Sequence, residues 1–240
     1  MRLAVVAVPL VLMLEVSRAD AAPPSDTEVS RRLAFIEARL ARGAGPANMW
    51  WSSWYYGWTA LSMGQFVWAI ATPDKGTRID MAVGAAASTL GVIPLGVLPF
   101  PARTAQRDLA RVPARSPEER RRKLAFAEHL LEAAAKDQKL RRSWVNHATS
   151  IGVSIGVGLV LGVGYGRPIP GLINSIGGIA LSELQIWTQP TAAITDFADY
   201  EKLRNESKPS TTMLPPKTNG FPVSISIAPH PGGISISGSF

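Results

Sequence analysis

The sequence predicts a mainly α-helical fold of duplicated helical hairpins, membrane-associated, with a short C-terminal β-hairpin. Three observations carry that prediction. Trp54–Thr72, Met81–Phe100 and Ser143–Gly166 contain no Asp, Glu, Lys or Arg, and Pro168–Trp187 contains Glu183 alone, so four stretches have about the length a helix needs to cross a bilayer. The order of elements also recurs. Arg32-Leu33-Ala34-Phe35 with Glu37 returns as Lys123-Leu124-Ala125-Phe126 with Glu128, Leu40 as Leu131, Ser53-Trp54 as Ser143-Trp144 and Pro99 as Pro190. Finally, the period changes from helical to alternating at Phe221–Phe240, where VSISI and ISISGSF flank APHPGG.

Apolar and charged residues are segregated along the chain, so a mean hydropathy of only +0.10 conceals strongly apolar stretches. With 0 cysteines the chain has no disulfide, thiolate metal site, Cys nucleophile or lipidated Cys. The formal charge is +7, most of the excess lies between Arg103 and Arg142, and few aromatics interleave with it. That pattern points to anionic lipid headgroups before nucleic acid, beside the plainer alternative of a solvated helix face.

The first element, residues 1–21, fits a secretory signal: Arg2, an apolar run from Leu3 to Leu14, and Ala19-Asp20-Ala21 as the cleavage site. It implies export to the cell envelope, in the inner or outer membrane with exposure to the periplasm. Repeat 1 covers 22–101. It opens with an amphipathic helix, N-capped by Asp26 or Thr27, whose Val29, Leu33, Ile36 and Leu40 form one stripe and which Gly43 and Gly45-Pro46 are expected to end. Next, Met49–Trp58 packs four of the 7 tryptophans and two of the 4 tyrosines into ten residues. Trp50, Trp51, Trp54, Tyr55, Tyr56 and Trp58, with Trp144 in the second copy, suit a membrane–water boundary, since each ring has a polar handle. A ligand-stacking platform is the rival role. A short link, 74–78, leads into the second apolar segment, with Asp80 as its N-cap and Gly84 and Gly91 giving close helix approach.

Residues 102–115 are expected to be a basic linker. Repeat 2, 116–204, starts with a capping box, Ser116 to Glu119 with Pro117 at the first helical position. Its apolar segments carry Gly152, Gly156, Gly158 and Gly162, whose spacing serves helix packing. A flexible linker, 205–220, precedes the 221–240 tail. Phe240, terminal on an alternating strand, resembles the C-terminal signal of bacterial outer-membrane β-barrels; the resemblance covers that strand alone, and too few other alternating strands exist to close a barrel.

Chemistry has few places to sit. His129, His147 and His230 lie far apart, and no HExxH, phosphate-binding glycine loop or GxSxG occurs, so no metal or cofactor is expected. Polar groups in apolar segments remain: Glu183, His147, Asn146 and Asn174. A carboxyl there is costly unless neutral, paired or facing water, and an antiparallel hairpin would bring Glu183 and His147 to the same end. The functional expectation is a non-enzymatic envelope membrane protein that forms homo-oligomers or binds a protein partner through its glycine-rich helices. The rivals are a membrane-embedded enzyme or small-solute or proton conductor using Glu183 and His147, and a soluble secreted module with a Trp/Tyr platform. One tension remains within the sequence. Two cleanly spanning hairpins behind a cleaved signal leave the central arginines on the exported side, against the positive-inside tendency.

Overall fold

The computed structural model describes residues 24–206 with their side chains and the backbone of 224–230 and 233–239. The signal segment 1–21 and most of the 205–220 linker lie outside these residues. The chain divides into two units, Met1–Asn205 and Glu206–Phe240. In the second, β1 (Ser224–His230) and β2 (Gly233–Ser239) run antiparallel, Ser224 opposite Ser239.

Every secondary-structure element among the described residues of the first unit is a helix. Helix α1 (Asp26–Ala71) is 46 residues long and runs straight through Pro46, so the expected stop at Gly43 and Gly45-Pro46 is overturned. Proline within a helix costs about 3 kcal/mol and each glycine about 1 kcal/mol. Burial of Ala47 and Trp50 just beyond the breakers offsets that cost. Its N-cap is Ser25, whose Oγ accepts from the Glu28 N–H at 3.2 Å, in place of Asp26 or Thr27.

Helix α2 (Lys75–Val97) starts earlier than the sequence pattern indicated. Asp74 caps it by accepting from the Thr77 N–H at 2.6 Å, and these bonds hold the Asp74 carboxyl below its ordinary value. Asp80, expected as the cap, stands one turn inside and accepts two bonds of 2.6 Å from Arg167. The expected basic linker is largely α3 (Pro101–Ala110), with Pro101 in its first turn and Ala102, Ala105 and Leu109 buried. Three apolar residues on one face of a ten-residue turn-and-helix outweigh the composition that marked a linker.

Helix α4 (Pro117–Arg141) has the expected capping box: Glu119 N–H donates to Ser116 Oγ at 3.1 Å and the Glu119 carboxylate accepts from the Ser116 N–H at 3.2 Å. Helix α5 (Trp144–Leu159) continues as a π turn over Val160–Gly164, and Gly166, at φ 65°, turns the chain into α6 (Pro168–Trp187). That left-handed conformation suits glycine, which lacks the Cβ that would clash there. Helix α7 (Ala192–Glu206) closes the unit; the buried Gln138 side chain accepts from its Ala193 N–H at 3.0 Å.

Two cores result. Val29, Leu33, Ile36 and Leu40 of α1 pack with Ala105 and Leu109 of α3, Leu124, Ala127 and Leu131 of α4, and Tyr200 of α7. Around this charged cap run cross-helix ion pairs. Arg32 bridges Glu128 and Tyr200, Lys123 holds Glu37 at 2.8 Å, and Arg39 and Arg42 hold the buried Asp196 at 3.1 and 2.6 Å. Burial first, and then the bond to the Glu128 carboxylate, push the Tyr200 hydroxyl far above the ordinary tyrosine value, so it stays neutral. The second core joins Ala47, Trp50 and Trp58 to Leu95, Phe100, Ala134 and Ala193.

From this cap extend two hairpins, the C-terminal half of α1 with α2, and α5 with α6. Among the described residues two helices are long and apolar enough to cross a membrane: Lys75–Ala110, containing α2, at mean hydropathy 1.8, and Trp144–Gly164 at 1.5. Only 22% and 17% of their apolar windows are buried. The expectation of four such segments therefore reduces to two. The end of α1 is diluted by Ser, Thr, Gln and aromatic residues, and α6 by Asn174, Glu183, Gln185 and its glycines and prolines.

Candidate functional site

The polar residues singled out in the apolar segments separate into one contact and two local bonds. His147, one turn into α5, and Glu183, one turn before the end of α6, meet with Nδ1 to Oε2 at 2.7 Å. Each side chain is about three-quarters buried, at 26% and 25% exposed. The antiparallel hairpin explains the meeting, because the start of α5 and the end of α6 share a level. Asn146 instead donates to the Arg141 carbonyl at 2.7 Å, tying α5 to the end of α4. Asn174 donates at 3.1 Å to the Pro170 carbonyl of its own helix, so it bridges nothing between helices.

What can the pair do? The His147 ring engages Glu183 Oε2, and the Glu183 Oε1 atom is buried with no hydrogen-bond partner among the described residues. A hydroxyl nucleophile from the neighbouring turn is missing: Ser150 donates to the His147 carbonyl at 2.9 Å and not to the ring. The Trp187 ring lies 6.0 Å from the imidazole. No group of three or more His, Cys, Asp or Glu residues that could hold a metal occurs among the described residues. The arrangement is a polar staple across α5 and α6. Glu183→Gln, which preserves shape and hydrogen bonding, should change thermal stability by less than about 1 kcal/mol, whereas Glu183→Leu should cost about 1–3 kcal/mol by leaving His147 unpaired. Equal losses for the two variants in a melting series would rule out the staple.

The aromatic cluster does something the sequence did not disclose. Its four indoles donate across the fold: Trp50 to the Gln185 carbonyl at 3.2 Å, Trp51 to the Leu95 carbonyl at 2.9 Å, Trp54 to Thr188 Oγ1 at 3.1 Å and Trp58 to Gln185 Oε1 at 3.0 Å. One α1 segment thereby clamps the ends of α2 and α6. Trp50 and Trp58 are buried within the fold, so their rings serve internal packing. Trp51 stacks on Tyr55 with centroids 4.8 Å apart, and Tyr56 and Trp144 are exposed. The signal available in the sequence was the i, i+4, i+8 spacing of Trp50, Trp54 and Trp58, one helical face.

The glycines also divide. A Cβ on Gly158 would meet the Gly171 carbonyl oxygen at 2.7 Å as well as Ser175, so α5 and α6 touch backbone to backbone there. Gly84 faces Gln65 and Gly91 faces the Trp58 ring, at 2.8 and 2.7 Å, while Gly162 makes ordinary contact with Pro168 at 3.6 Å. A Cβ on Gly152 or Gly156 would have nothing within 4 Å, so neither packs against another of the described residues. Gly171 and Gly178, which the spacing did not single out, do pack, against Gly158 and Ser154.

A cavity of about 240 Å³ lies where α1 passes Pro46, lined by Arg39, Arg42, Leu131, Gln138 and Asp196 among others. Its charged groups are already satisfied by one another. Comparison of the chain with protein families, characterised proteins and solved structures found no match.

Proposed function

We propose that the chain is a non-enzymatic membrane protein of the cell envelope, in which a charged helical cap holds two hairpins in the bilayer and the glycine-rich helix α5 meets a second copy or an envelope protein. The observation that carries this reading is the contrast between the two parts. The cap buries its aliphatic stripe under cross-helix ion pairs, whereas α2, α5 and α6 leave Leu90, Val97, Val153, Leu159, Ile173 and Ile176 about half exposed or more. Apolar surface of that extent calls for a non-aqueous neighbour. The segments before the hairpins gather in one cap and the Arg167–Asp80 pair ties the far ends of the two hairpins, so both hairpins leave the cap in the same direction.

Duplication is part of the proposal and has geometric support. Under the repeat correspondence Arg32 matches Lys123 and Glu37 matches Glu128. The ion pairs are reciprocal: Arg32 of the first copy to Glu128 of the second, Lys123 of the second to Glu37 of the first. Leu33 and Leu124, and Leu40 and Leu131, are matched and all buried. Reciprocity of this kind is what a two-fold arrangement of related halves produces.

The reading implies export through residues 1–21, an uncharged helix face at Gly152 and Gly156 free for association, and a tail, 221–240, available to pair with a partner's sheet edge. Fractionation tests it. The protein should remain in the membrane pellet after carbonate washing and need detergent for release, and separated inner and outer membranes should assign the compartment. Recovery in the carbonate supernatant would overturn it in favour of a soluble helical module.

A further inference from the structure

The basic run between Arg103 and Arg142 is split by the fold. Its middle arginines belong to the cap, where Arg121 reaches Asp26 at 3.2 Å. Its two ends fall at the level of the tryptophan clamp, where the charged cap gives way to the apolar hairpins. Arg103 lies with its guanidinium carbon 3.7 Å from the centre of the Trp51 ring, and Arg142 lies 5.4 Å over Trp187. Between them Arg141 covers Phe100 at 5.4 Å, but Asp137 already neutralises it at 2.8 Å.

Arg103 and Arg142 make no ion pair among the described residues. A guanidinium stacked on a ring uses its face and keeps its edge N–H groups in plane for other acceptors. Arg103 uses Nε on Asn48 Oδ1 at 2.9 Å, leaving both terminal nitrogens. The surroundings are apolar and open: Met49, Leu140, Trp144 and Trp187 are all at least 65% exposed. At the opposite end of the hairpins, by contrast, Arg167 is matched to Asp80. Lys75 and Arg78 at that end have no carboxylate partner among the described residues either, so what sets Arg103 and Arg142 apart is that each also lies against a tryptophan ring.

We propose that Arg103 and Arg142 form a collar that binds the phosphate groups of anionic phospholipids where the hairpins enter the bilayer. The proposal rests on the membrane reading above. It gives the charge a specific place: a phosphate needs in-plane N–H donors, the acyl chains below it need the exposed Leu140, Trp144 and Trp187, and both are present side by side.

The test uses the full chain and flotation with vesicles of phosphatidylcholine alone or with 30% phosphatidylglycerol, a proportion of roughly the order found in anionic leaflets. The expected result is flotation with both vesicles and at least about a five-fold preference for the anionic one at low salt. Arg103→Gln with Arg142→Gln should abolish that preference while flotation with phosphatidylcholine persists. Arg111→Gln with Arg115→Gln, the same charge loss at the far end of α3 and beyond, should retain it. Arg103→Lys with Arg142→Lys keeps charge and should retain part of it, and 10 mM inorganic phosphate, roughly the scale at which a lone guanidinium binds a free anion weakly, should not compete. The collar is overturned if the two Gln pairs lose preference equally, if the Arg103/Arg142 pair loses none, or if inorganic phosphate competes fully. Failure of the wild-type chain to float with either vesicle would instead remove the membrane reading beneath it.

Discussion

Replacing Arg39 and Arg42 together by Met should destabilise the cap by about 3 kcal/mol, the low end of what losing the partners of a buried charge costs. Asp196 sits on α7 with its side chain only 3% exposed, and both arginines reach its Oδ1. With the pair gone the carboxylate would have neither solvent nor a counter-charge. The single variants should differ. Arg42 is 60% exposed, so water and salt screen its contribution and Arg42→Met should cost under about 1 kcal/mol. Arg39 is 26% exposed, also lies near Asp199 and covers the Phe35 ring at 4.8 Å, so its loss should cost more. Adding Asp196→Asn to the double variant should restore part of the stability, since it removes the stranded charge. Chemical denaturation of the four proteins in detergent checks this. A double-variant cost no larger than that of Arg42→Met alone would mean that Asp196 is satisfied in another way.

Gly171→Leu should separate α5 from α6 and cost about 3 kcal/mol, the upper part of the range for overpacking a core. The reason is that the obstacle is backbone. A Cβ at Gly171 would stand 3.0 Å from the Gly162 nitrogen and closer still to the Gly158 carbonyl oxygen, neither of which can rotate away. Substitution at Gly152 or Gly156 meets open space, so Gly152→Leu and Gly156→Leu should leave thermal stability within about 0.5 kcal/mol. Crosslinking of the same proteins tests association separately: loss of oligomer at unchanged stability would support the free glycine face, and retained oligomer would move the contact elsewhere. Equal destabilisation by all three leucines would contradict the packing that distinguishes these glycines.

Much of the helix pattern was legible because it depends on local spacing. The stripe Val29, Leu33, Ile36, Leu40 is buried as its period indicates, and Ser116 and Glu119 cap α4 because both partners lie within one turn. Proximity of His147 and Glu183 followed from the antiparallel hairpin, which places the ends of adjoining helices at one level. Errors arose where a local signal competed with a distant one. Pro46 reads as a helix breaker until Trp50 and Ala47 are seen in a shared core, and 102–115 reads as a linker until Ala105 and Leu109 are seen beneath α1 and α4.

By itself, then, the sequence determined the helical class, the segregation of charge from apolar surface, the three- and four-residue spacing of the buried stripe and the capping box of α4, because each is set by residues within one or two turns. Only the tertiary structure decided which tryptophans are core, which glycines touch backbone, which arginines have carboxylates and which do not. Those outcomes depend on partners more than a hundred residues away in several cases, as in Trp50 with Gln185 and Arg39 with Asp196, and no local pattern encodes a distance between helices.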